Sequence, residues 1–125
     1  MIRQMANDIS LAQNIEFSLD LERCFPGDLL PEQRIAVFRI VQEQFNNIQK
    51  YSNASHVHVL LENRSPNFYM RIEDDGVGTD LFSTKNGLGL TNMTSRVELY
   101  NGKIHMESAP GKGFLLEAIM DIQKN

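Results

Sequence analysis

Residues Lys103–Ile122, KIHMESAPGKGFLLEAIMDI, decide the architecture. KIHMES and FLLEAIMDI read as two strands, and APGKG between them supplies the Pro and Gly chemistry of a turn. Strands that follow one another without an intervening helix do not build a doubly wound parallel sheet. Working back along the chain, HVHVLLE (56–62) and FYMRIEDD (68–75) form a second adjacent pair, joined by NRSPN. EFSLDLE (16–22) alternates Phe17, Leu19 and Leu21 with polar neighbours, the period of two that marks a half-buried strand.

Two segments carry helical periodicity instead. PEQRIAVFRIVQEQFNNIQKYS (31–52) opens with Pro and has no internal breaker, which predicts a helix over the whole stretch. Ile35, Phe38, Val41, Phe45 and Ile48 form its apolar stripe, expected to face a sheet, and Glu43, Asn47 and Lys50 fall on the opposite side. LTNMTSRVELY (90–100) spaces Leu90, Met93, Val97 and Tyr100 helically and stops at Asn101-Gly102. The pattern predicts an α+β fold, a two-layer sandwich with a mixed sheet of about five strands covered on one face by helices.

At 125 residues, the chain fits a single domain of ordinary composition, 42% apolar and 22% charged. Residues 1–13 read as a short helix or the remnant of an upstream connector, and 14–125 as the domain proper. The net charge of −4 provides no global field for nucleic acid or an anionic membrane, so any phosphate must be held locally. There is no membrane-spanning run and no signal peptide, which predicts a cytoplasmic domain without direct membrane contact. The single Cys24 makes no internal disulfide and reads as a passive thiol.

The chemistry concentrates in DDGVGTDLFSTKNGLGL (74–90). Gly76 and Gly78 follow a strand directly, which lets backbone approach a ligand or simply forms a tight turn. Gly87 and Gly89 precede a helix whose first N–H groups lack internal partners, an arrangement suited to an anion or merely easing helix entry. Neither Gly pair completes a dinucleotide fingerprint, and no P-loop is present. The Glu43/Asn47/Lys50 stripe offers a carboxylate, a neutral oxygen and a cation, the set that a magnesium-bound polyphosphate requires, although such a stripe alone is also a common solvated helix face.

Taken in order, EQFNNIQKYS, DDGVG and NGLGLTNMTSRV closely resemble the ATP-binding domain of sensor histidine kinases, within the group that includes gyrase, Hsp90 chaperones and mismatch-repair ATPases. The similarity extends over about residues 14–122, and GLGLTNMTSRVELYNGKIHMESAPGKG is especially similar to the nitrate-sensor and desaturase-sensor branch. It implies the Bergerat-type ATP-binding fold, with ATP and Mg²⁺ as cofactors. By the same resemblance, Asn47 ligates Mg²⁺, Lys50 faces phosphate oxygens, Tyr51 lines the nucleotide, and Glu43 acts as a polar base or orients the attacking group. Asp74 accepts a hydrogen bond from the adenine amine, Gly76 and Gly78 flank the base, and Gly87, Leu88, Gly89 and Leu90 border the phosphates. TDLFSTKN (79–86) stands as a short lid.

The implied function is the catalytic domain of a two-component kinase, supplying Mg-ATP for phosphoryl transfer to a histidine on a separate dimerisation domain and thence to a response regulator. His56, His58 and His105 lie in expected strands with surface or structural roles, and no acceptor segment is visible, so self-phosphorylation is not expected. The chain is expected to be monomeric in isolation, in a parent protein that can be membrane-anchored. Phe114 departs from the Thr or Ser usual in this family. An anti-sigma-factor-type serine kinase and a non-catalytic nucleotide-sensing module are the alternative readings.

Overall fold

A computed structural model describes residues 1–80 and 89–124. In chain order the described elements are α1 (Ile2–Gln13), β1 (Glu16–Arg23), α2 (Pro31–Asn47), β2 (His56–Arg64), β3 (Asn67–Asp74), α3 (Leu90–Glu98), β4 (Lys103–Ser108) and β5 (Phe114–Asp121). The strands form one five-stranded sheet in the order β1-β2-β3-β5-β4. β1 and β2 run parallel, as they can because α2 crosses between them, and every other pair is antiparallel. The expected α+β sandwich with a mixed sheet is the architecture found.

Alternation along the strands assigns the layers. Val57, Val59 and Leu61 of β2, Phe68, Met70 and Ile72 of β3, and Leu116, Ala118 and Met120 of β5 are all buried on one face. Their neighbours His56, His58, Glu73 and Ile119 face solvent on the other. The helices cover the apolar face. α2 crosses it centrally, with Phe45 against Phe17 of β1 at a ring-centroid distance of 5.1 Å. α1 packs on β1 and α2 through Ala6 and Ile9, while α3 packs on β4, β5 and α2 through Met93 and Val97.

Two details of α2 differ from the sequence reading. Its α-helical part ends at Asn47, and Ile48–Ser52 continues as a π-helical turn rather than as α-helix. The buried arc is also broader and rotated. Ile35 is 55% exposed and Phe38 only half-buried, whereas Gln33, Val37, Ile40, Gln44 and Asn47 are buried with Val41 and Phe45. The reason is tertiary, because α1 and α3 flank α2 on its two sides, so burial extends beyond the single stripe that touches the sheet. Gln33 illustrates the consequence: its amide donates to Asp121 O at 2.8 Å and accepts from Gln123 N at 2.8 Å, tying the chain end to the start of α2.

Candidate functional site

The end of α2, the π turn, the loop after β3 and the start of β5 converge on one cavity. It is lined by Gln44, Asn47, Ile48, Tyr51, Ser52, Asp74, Gly78, Thr79 and Phe114 and encloses about 300 Å³ of empty space, part of it open to solvent. Asn47 and Tyr51 from EQFNNIQKYS and Asp74 and Gly78 from DDGVG, two separate motifs, therefore share one wall system. Asn47 is buried, and its amide nitrogen donates to Gln44 Oε1 at 3.4 Å. Tyr51 is half-exposed at the rim.

Asp74, the last residue of β3, is 8% exposed. Burial pushes its carboxyl above the usual range; the N–H of Gly76, donating to Oδ1 at 2.7 Å, partly offsets this, and the nearby Asp75 and Glu73 reinforce it. Asp75 has the opposite character. It accepts from the backbone N–H of His56 and Ser55 at 2.9 and 2.8 Å and pairs with His56 Nδ1 at 3.2 Å. The His56 N–H in particular holds its carboxyl below the usual range. Asp75 thus staples the start of β2 to the end of β3, and it is Asp74 that lines the cavity.

The glycines are held by close backbone approaches. Gly78 has φ +69°, and a Cβ there would strike Ala109 O and crowd Gly113 O in the β4–β5 turn. Gly89, at the start of α3, has φ +66°, and a Cβ there would strike the Glu43 carboxylate. Glu43 and Gly89 are therefore in contact across the α2–α3 interface. Gly87 and Leu88 lie outside the described residues, as does most of the expected lid. Leu90 is buried in the core at the first position of α3. Lys50 is exposed on the π turn and is not part of the cavity lining. His56, His58 and His105 are exposed strand residues, as expected.

Several lining residues were not picked out from the sequence. Gln44 falls between the two predicted stripes of α2, and its burial arises from flanking helices that periodicity does not reveal. Ser52 is a small polar residue at the end of the π turn, where a turn role is the default reading, and Thr79 enters the sequence reading only as the first residue of the expected lid. Phe114, where the family usually has Thr or Ser, lies directly across from Asp74 between β3 and β5.

Known proteins share the family and the fold of this chain. The profile described as "Histidine kinase-, DNA gyrase B-, and HSP90-like ATPase" matches residues 32–124. The signal transduction histidine-protein kinase/phosphatase DegS of Brevibacillus brevis is 37% identical over 97 residues, covering 76% of this chain and 25% of its own length. The sensor histidine kinase ComP of Bacillus subtilis is 33% identical over 95 residues, covering 72% of this chain and 12% of its own. This chain thus spans a quarter or less of these relatives. Among solved structures, the Acinetobacter baumannii histidine kinase AdeS superposes with a TM-score of 0.73 at 19% identity, over 98% of this chain and 62% of that one. The histidine kinase domain of the Erythrobacter litoralis EL346 blue-light activated histidine kinase gives 0.77 at 17% identity, over 97% and 59%. These two likenesses concern the fold alone.

Proposed function

Because the chain belongs to the histidine kinase-, DNA gyrase B- and HSP90-like ATPase family, we propose that it binds Mg-ATP in the cavity bounded by Asn47, Tyr51 and Asp74. In this reading it is the catalytic domain of a two-component sensor histidine kinase. The observation that carries the reading is the meeting of Asp74 and Asn47, from different elements, on one partly buried cavity. A buried carboxylate facing a cavity accepts the exocyclic amine of adenine, whereas guanine presents an acceptor at that atom. Asn47 supplies a neutral oxygen from the other side. Magnesium fits this donor set, since it is commonly held by one or two protein oxygens together with phosphates and water.

Asn47 would hold the metal, which when bound neutralises charge developing on the transferred phosphoryl group. Lys50, exposed on the same turn, would face phosphate oxygens, and Gly87, Leu88, Gly89 and Leu90 would border them. Glu43, in contact with Gly89, would act as a polar base or orient the attacking group. Transfer would run to a histidine on a separate dimerisation domain and then to a response regulator. Residues 1–13 would be the end of the connector to that domain, anchored by Ala6 and Ile9. No helix among the described residues is long and apolar enough to cross a membrane.

Calorimetric titration with Mg-ATP tests the reading on the parent, Asn47→Asp and Asp74→Asn. The parent is expected to bind, with Asn47→Asp losing magnesium-dependent affinity and Asp74→Asn losing preference for ATP over GTP. No detectable binding by the parent would overturn it. Phosphate transfer to a purified acceptor-helix domain then separates a kinase from a domain that only binds nucleotide.

A further inference from the structure

We propose that Ser52 is a positioning residue that fixes the metal-and-phosphate side of the cavity relative to the base side; the inference rests on the Mg-ATP reading above. Ser52 closes the π turn Ile48–Ser52, which carries Lys50 and Tyr51 and continues directly from Asn47. Its buried hydroxyl donates to Ile48 O at 2.6 Å and accepts from Ala54 N at 3.1 Å. Its carbonyl accepts from Val77 N at 2.7 Å, within the loop that follows Asp74. Val77 O in turn accepts from Gly111 N at 2.6 Å in the β4–β5 turn. One hydrogen-bonded series therefore joins the end of α2, the DDGVG loop and the turn leading to Phe114.

Gly76 shows how tight this junction is, because a Cβ there would strike Ser52 O and lie 2.8 Å from Ser52 Cβ. A π turn is rare and occurs mostly as a single turn, because its i→i+5 widening departs from the favoured α geometry. A side-chain donor to Ile48 O and an acceptor for Ala54 N offset that cost at the turn's end. Without the hydroxyl, the turn is free to tighten toward α geometry, which swings Tyr51 and the Asn47 end relative to Asp74. Each half of the site would remain intact while their mutual spacing changed. Ser52 needs no contact with nucleotide to have this effect.

The test is the ratio of Mg-ATP affinity to adenosine affinity, measured by calorimetry on the 125-residue chain and on Ser52→Ala. Adenosine occupies only the base side, whereas Mg-ATP needs both sides in register. Ser52→Ala is expected to keep adenosine affinity and to lower the ratio by about tenfold or more, as misplacement of binding groups by around an ångström does. A purely structural role would lower the melting temperature and leave the ratio at the parental value, and that result overturns the proposal. If Ser52→Ala fails to fold by circular dichroism, Ser52→Cys carries the same test, with a similar side-chain volume and a weak S–H donor. An unchanged ratio in Ser52→Cys then overturns the proposal. A parent chain that binds neither ligand overturns the Mg-ATP reading and this inference with it, whereas a binding parent with an insensitive ratio overturns this inference alone.

Discussion

Asp74 and Asp75 are adjacent carboxylates with opposite thermodynamic signs. Asp74 is pushed up by burial, so its folded-state pKa lies above the unfolded one; its contribution to stability is present below the unfolded pKa and lost as pH rises through the folded one. At neutral pH the buried charge is a cost that a bound donor would offset. Asp74→Asn, which keeps an oxygen for the Gly76 N–H, is therefore expected to leave the melting temperature equal or higher at pH 7. The same change should weaken ATP binding by about ten- to a hundredfold, the range for losing a charge-assisted hydrogen bond. Asp75 is pulled down by the His56 and Ser55 N–H groups, so its contribution is present above the ordinary value of 3.8 and is lost as pH falls through its lower folded-state pKa. Asp75→Ala should cost about 1 kcal/mol at pH 7 in urea unfolding, a modest figure because the side chain is half-exposed. That gap should close in strong acid, and nucleotide affinity should change little.

Among the elements, the helices show where sequence patterning stops being informative. The existence of α2 and α3, and the burial of Leu90, Met93 and Val97 on α3 and of Tyr100 in the turn just after it, follow from spacing alone because α3 lies at the edge of the helical layer with one face inward. On α2 the same reasoning buried Ile35 and missed Gln44, because two flanking helices widen the arc. The π turn was illegible, since IQKYS has ordinary helix formers and its widening depends on contacts with Ala54 and the loop after β3. The glycine pairs were legible as special backbone but not in what each one meets. Gly78 and Gly89 have nearly equal positive φ, yet Gly78 would drive a Cβ into backbone and Gly89 into a flexible side chain. Gly78→Ala should therefore be the more destabilising, by about 3 kcal/mol or more from left-handed strain plus overpacking, against about 1–2 kcal/mol for Gly89→Ala, where Glu43 can swing aside. Chemical denaturation of the two variants checks the order, and equal losses would mean that backbone strain alone decides both.

At the scale of the whole molecule, adjacent strands at residues 103–121 were enough to exclude a parallel doubly wound sheet, and one helical layer on one sheet face followed. The site was less legible than the fold because it is assembled by long-range convergence: Asn47 and Asp74 share a cavity only after β2 has intervened and β3 has paired with β5. That assembly makes ligand binding a property of the folded state, so Mg-ATP should stabilise the domain as a unit. At a ligand concentration 100 times Kd, binding to the folded state alone adds about 2.7 kcal/mol. For a domain near this size, that corresponds to a rise in Tm of roughly 10 °C. EDTA should remove the part of the shift that depends on phosphate and metal while leaving the smaller shift produced by adenosine. Asn47→Asp should mimic EDTA in this respect, because the base contact with Asp74 is untouched, and GTP should give little shift with either protein. Thermal melts with ATP, GTP and adenosine, each with and without EDTA, separate these contributions. Equal shifts from ATP and GTP would remove Asp74 from base recognition, and an ATP shift indifferent to EDTA would remove Asn47 from metal binding.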